Sequence, residues 1–185
     1  MRSVDAMEAL AAEDRRGAYI WHLDGLGGLF GEEGDRLRGT VERLVAEGAL
    51  GRVADGLYYN RLSRSVGLDT LYDFARALRP DGLSYESFES AASQWGIISQ
   101  VPWRLTFATQ GSGGEYRTPL GTVEFTHTGR DDDEILRNTS EWPDGRGRIA
   151  SYALTLDDLL RHHRSVDLID WEEVDGALGV ERHLR

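Results

Sequence analysis

Asp55-Gly56 lies between two short β-prone runs, Leu50–Ala54 and Leu57–Asn60, and no other stretch of the chain restricts the fold as much. Asp-Gly in that setting signals a β-hairpin, because a tight turn needs backbone that glycine adopts without steric penalty. A two-residue turn there sets Val53 opposite Tyr58 and Arg52 opposite Tyr59. Directly upstream, Asp35 to Glu47 carries Leu37, Val41, Leu44 and Val45 on one helical stripe. Asp35 is placed to cap that helix, and Gly48 stands where a left-handed terminating residue belongs. Before it come a helical pattern from Val4 to Ala12, a β-prone run Ala18-Tyr19-Ile20-Trp21, and a brief helix behind Asp24 that carries Leu26, Leu29 and Phe30. Gly25, Gly27 and Gly28 weaken that brief helix, each at a cost of about 1 kcal/mol against Ala. Helix, short strand, short helix, longer helix, hairpin is the order of a winged helix-turn-helix.

Beyond a polar connector, Arg61 to Gly67, the pattern changes. Asp69 opens a helix through Leu78, which Pro80-Asp81-Gly82 ends, and Ser84 is expected to cap a second helix reaching Trp95. Strands are expected over Arg104–Thr109, Glu115–Thr118 and Thr122–His127, the first two joined by Gly111-Ser112-Gly113-Gly114. Short helices follow at Asp131–Arg137, Thr155–His163 and Asp170–Leu178. The expected fold class is α+β, with a winged helix-turn-helix domain over residues 1–65 and a mixed α+β domain over residues 66–185.

Charge bears on partners. The 185 residues carry 21 basic groups against 32 acidic ones, a formal net charge of −11 that argues at first sight against a nucleic-acid partner. The distribution reverses this. Residues 1–65 hold nine arginines and eleven acids, or −2, whereas residues 66–185 hold twelve and twenty-one, or −9. Between Asp35 and Arg64 six arginines face four acids, a local +2. Every basic residue is Arg, since Lys is absent, and Arg offers the fork geometry that reads guanine O6 and N7. Cys is absent too, which excludes disulfides and Cys-ligated metal sites. No apolar run approaches the roughly 20 residues of a membrane span, and Met1–Ala6 lacks the apolar core of a secretory signal, so the expected location is cytoplasmic, without membrane contact.

On a helical wheel Arg36, Gly39 and Arg43 lie opposite the apolar stripe of Asp35–Glu47, with Glu42 and Ala46 beside them. The second helix of a helix-turn-helix enters the major groove. This assigns Arg36 and Arg43 to base edges, and Gly39 to a close approach of the helix to DNA. Thr40, on the same helix, is included in that interface. Arg38, Arg52, Arg61 and Arg64 suit phosphate contacts. Catalytic and metal roles find little support. Asp131-Asp132-Asp133-Glu134 could hold Mg²⁺ but more often such a run caps a helix or faces solvent. His162 and His163 point about 100° apart on a helix, and His22, His127 and His183 are scattered, so zinc is not expected. Gly111–Gly114 lacks the Lys-Ser/Thr of a phosphate loop. Trp95 and Trp103 are expected to pack in the second domain's core. No enzyme activity and no cofactor is expected.

The run Leu37–Asn60, with Arg43-Leu44-Val45, Gly48, Leu50, Arg52-Val53 and Gly56-Leu57-Tyr58-Tyr59, resembles the N-terminal domain of AbiEi-type antitoxins. Ser99-Gln100-Val101-Pro102 leading into Arg104–Thr109, the segment Glu115–Phe125, and Ile149-Ala150 before a helix are similar to that family's C-terminal part. The resemblance implies a transcriptional repressor that is also the antitoxin of a type IV toxin–antitoxin pair. Its winged helix would bind double-stranded operator DNA, with Asp35–Glu47 as the reading helix and Leu50–Asn60 as the wing. Its C-terminal domain would oppose a nucleotidyltransferase-like toxin without requiring a stable complex. The alternative is an orphan winged-helix regulator whose second domain dimerises or senses a ligand.

Overall fold

The computed structural model describes the backbone of residues Met1–His183 and the side chains through Ala177. The fold is mixed α+β, with eight α-helices and two sheets among the described residues. Contacts divide the chain into two units, Met1–Pro80 with Tyr116–Gly121, and Asp81–Glu115 with Thr122–Arg185.

In the first unit, α1 (Ser3–Asp14) is followed by β1 (Ile20–His22), α2 (Leu23–Phe30), α3 (Gly34–Ala46), β2 (Leu50–Ala54), β3 (Leu57–Asn60) and α4 (Thr70–Leu78). The three strands form an antiparallel sheet in the order β1-β3-β2. Ala6, Leu10, Leu26, Phe30, Leu37, Val41, Leu44 and Leu50 make one apolar core beneath the helices. α2 forms despite its glycines because its apolar face is buried, which outweighs the propensity cost. Gly27 has a packing role: a Cβ there would stand 3.0 Å from the Glu32 carbonyl and 3.1 Å from Leu37 Cδ2, so its absence lets α2 and α3 approach closely.

Two local expectations change. α3 starts at Gly34, with Glu33 at the N-cap position, so Asp35 lies inside the first turn. Its negative charge there still favours the helix dipole. The hairpin pairs Arg52 with Tyr58, Gly51 with Tyr59 and Ala54 with Leu57, leaving Val53 in a bulge. Only Gly56 of the turn takes a positive φ (72°), so the mirror-image turn that needs two such residues is not used, and Val53 absorbs the extra position while its side chain enters the core. In the first unit α4 delivers Phe74 against Tyr59, with ring centroids 4.9 Å apart, in a second cluster with Tyr19, Val53 and Leu57.

The second sheet has six strands in the order β6-β7-β5-β4-β9-β8. Its strands are β4 (Ser84–Glu86), β5 (Arg104–Thr109), β6 (Gly114–Thr118), β7 (Gly121–His127), β8 (Thr139–Glu141) and β9 (Arg148–Ala150). The helices are α5 (Phe88–Trp95), α6 (Asp132–Asn138), α7 (Tyr152–Arg161) and α8 (Trp171–His183). β5 runs parallel to β7, and β4 parallel to β9, so the strands joined by Gly111–Gly114 are not neighbours. Ser84-Tyr85-Glu86 is a central strand rather than a helix start: Tyr85 pairs with Ala108 on one side and Arg148 on the other. The cap position falls to Ser87, whose hydroxyl donates to Asp158 at 2.6 Å. No helix among the described residues is long and apolar enough to cross a membrane.

Candidate nucleic-acid interface

α2 and α3 are joined by Gly31-Glu32-Glu33, with Gly31 in the left-handed conformation that ends α2. Glu32 turns inward and is buried. Its carboxylate accepts from Thr40 Oγ1 at 2.7 Å, from Arg36 Nε at 3.0 Å, and from the Met1 amine. The amine and the Thr40 hydroxyl hold the Glu32 pKa down at about 2. This carboxylate pins the turn to the first two turns of α3.

The hairpin is fixed at its tip, where the Gly56 carbonyl accepts from the Leu23 amide at 2.8 Å. An open cleft of about 490 Å³ results, lined by Leu23, Arg38, Glu42, Arg52, Asp55, Gly56 and Tyr58. α3 supplies Arg38 and Glu42, which are four positions apart and therefore one turn apart on the same side of the helix. The hairpin supplies Arg52, whose guanidinium stands 5.6 Å from the centre of the Tyr58 ring. Each arginine also has an acid three positions away, Asp35 beside Arg38 and Asp55 beside Arg52, both at 3.8 Å. All four side chains are exposed, where such pairs are weak and exchange readily with another anion.

The structure separates the eight residues expected at DNA. Arg38 and Arg52 meet at the cleft, and Gly39 is exposed on α3 with nothing within 4 Å of where a Cβ would stand. Arg36 turns to Glu32. Arg43 turns to α1, donating through Nε to Ser3 Oγ at 3.1 Å and through Nη2 to the Met1 carbonyl at 2.7 Å. Thr40 is buried, since its hydroxyl serves Glu32 inside the fold, and it is withdrawn from any outer surface. Arg61 and Arg64 are exposed at the base of the hairpin, where Leu50 pairs with Asn60, at the opposite end from the tip. The Arg61 guanidinium lies beside Gly48 at the C-terminal end of α3, and the Arg64 amide donates to Asp14.

Sequence reasoning missed Glu42 as a cleft residue, and Tyr58 and Leu23 with it. The i,i+4 spacing of Arg38 and Glu42 was the available signal. Leu23 had none, because its place depends on the hairpin tip closing onto α2.

The other candidate clusters are spent on structure. Asp131 caps α6, accepting from the Glu134 amide at 2.8 Å; Asp132 accepts from Gln110; and Glu134 accepts from Arg130. Among the described residues no group of three or more His, Asp and Glu could hold a metal ion, and the His183 side chain lies outside them. His162 packs edge-on to Phe88 at 5.3 Å. Trp103 is not a core residue: it is exposed, with the Arg104 guanidinium 4.7 Å from its ring, and Trp95 is partly exposed while donating to the Ala150 carbonyl at 2.9 Å. Compared with protein-family models and with curated proteins, the chain finds no match in either.

Proposed function

We propose that the first unit is a winged helix-turn-helix that binds double-stranded operator DNA, with α3 as the reading helix and β2–β3 as the wing. One observation carries this reading. Arg38 on α3 and Arg52 on the hairpin line a single open cleft, beside a three-stranded sheet ordered β1-β3-β2. A helix in the major groove with a flanking hairpin needs cations on those two elements, one for base edges and one for the backbone. Arg38 takes the base-reading role, and Arg52 contacts phosphate. Arg36 lies on the flank of α3, within reach of the backbone on release from Glu32. The short hairpin carries Arg52 as its one basic residue, which suits a phosphate contact beside the groove.

The protein is then a transcriptional autorepressor. In line with the resemblance of Leu37–Asn60, Ser99–Thr109, Glu115–Phe125 and Ile149-Ala150 to AbiEi-type proteins, it serves as the antitoxin of a type IV pair whose toxin is nucleotidyltransferase-like. A gel shift on the DNA upstream of its own gene tests the first role. Wild type should bind that duplex more tightly than a scrambled one, and Arg38→Ala should remove most of the preference. Equal binding to both duplexes would sink the operator assignment. Co-expression with the product of the adjacent gene tests the second role: growth should be restored even by Arg38→Ala if antitoxicity belongs to the second unit.

A further inference from the structure

Glu42 is out of place on a phosphate-binding face. It is exposed, lines the same cleft as Arg38 and Arg52, and has no hydrogen bond or ion pair among the described residues. The acids at Asp35 and Asp55 each stand beside an arginine, whereas Glu42 stands alone. A carboxylate facing DNA repels phosphate and the acceptor atoms of guanine and thymine. It can only accept hydrogen bonds. In the major groove the donors are the exocyclic amines of cytosine and adenine, and the pairing that suits Asp or Glu is with cytosine N4.

We infer that Glu42 determines base specificity by accepting a hydrogen bond from a cytosine N4 amine in the operator, one helical turn along α3 from the guanine that Arg38 reads. The inference rests on the DNA-binding reading above. It adds the identity of a base and the reason a low-affinity charge occupies the site. Arg38 attracts any duplex, while Glu42 penalises every duplex that does not present an amine at its position. The pair exchanges affinity for selectivity.

Selection from a randomised duplex library, run in parallel with wild type, Glu42→Gln and Glu42→Ala, tests this. Glu42 is exposed, so both variants should keep the wild-type thermal unfolding curve. Wild type should select a near-invariant cytosine at one position, with a preference of about tenfold or more over the other bases. Glu42→Gln should move that position toward adenine, because an amide matches adenine N6 and N7. Glu42→Ala should lose the preference to within about twofold and bind non-specific DNA more tightly at low salt. If both variants select the wild-type sequence unchanged, Glu42 does not read a base, although DNA binding stands. If wild type selects nothing and binds no duplex, the DNA-binding reading fails and takes this inference with it.

Discussion

The two units treat most of their ion-paired arginines differently. In the first, the arginines that form ion pairs stay half or more exposed, from 51% for Arg76 to 84% for Arg2. In the second, Arg104, Arg130, Arg146, Arg148 and Arg164 are at most 30% exposed and each is held by carboxylates, while Arg161, paired with Asp157, stays 62% exposed. Arg130 is the extreme case. Its guanidinium donates to Asp158 at 2.5 Å, to Asp157 and to Glu134, while Asp158 is fully buried and also accepts from Ser87. The acidic excess of the second half is therefore partly structural, with carboxylates serving internal cations. The ion-paired arginines of the first unit stay exposed, where an external anion can reach them. Net charge conceals this, because it sums groups already satisfied inside the fold with groups still facing solvent.

The largest expected effect separates these two uses directly. Arg130→Ala leaves Asp158 buried without its cation, and should cost about 3–5 kcal/mol in urea denaturation. Arg38→Ala, on an exposed face, should stay within about 0.5 kcal/mol of wild type while lowering DNA affinity. Comparable stability losses in the two variants would erase the contrast.

Phe74→Ala tests where the first unit ends. Its side chain is fully buried against Tyr59, and removing it should cost about 3–5 kcal/mol. A loss below about 1 kcal/mol would place the boundary in the region of Ser65.

Much of the first unit was legible because its signals are local. The apolar stripe of α3, the glycine at position 48 and the Asp-Gly turn each act within a few residues. The bulge at Val53 was not legible, since it depends on that side chain reaching Tyr19 and Phe74. Nor was the burial of Thr40, which follows from Glu32 turning inward eight positions earlier. In the second unit the short strands β4, β8 and β9 have only three residues each and no periodicity to read. Arg130 and Asp158 are 28 positions apart, and only the sheet brings them together. At the candidate site the arginines were visible from composition, but their partition between cleft, flank and hairpin base was not. Arg43 and Arg36 share a helix with Arg38 and are exposed like it, and only the position of α1 and of Glu32 gives those two a partner away from the cleft.

A smaller effect concerns Glu32. Its folded pKa is depressed from 4.5 to about 2, so its carboxylate favours the fold above about pH 4.5, and this contribution is lost as pH falls toward 2. Glu32→Gln should be less stable than wild type at neutral pH, and the difference should shrink on acidification across that range. A gap that stays constant with pH would show that the charge of Glu32 is not what holds the α2–α3 turn.

Gly39→Ala gives a small gain in stability and a change of opposite sign in function. Ala has the better helix propensity, and nothing crowds a Cβ there, so the variant should be about 0.5–1 kcal/mol more stable. If α3 lies close to DNA at this position, the same methyl group should weaken binding. A variant that is stabilised and binds as well as wild type would remove Gly39 from the interface.

DNA binding through one cleft shared by Arg38 and Arg52 is the proposal on which the rest depends. The salt dependence of duplex binding by wild type, Arg52→Ala and the double variant Arg38→Ala/Arg52→Ala tests it most directly. Wild-type affinity should fall linearly on a log–log plot, Arg52→Ala should reduce the slope by about 0.9 for the lost phosphate contact, and the double variant should lose sequence preference as well. Unchanged slope and preference in the double variant would contradict the account, because DNA would then be held by another surface.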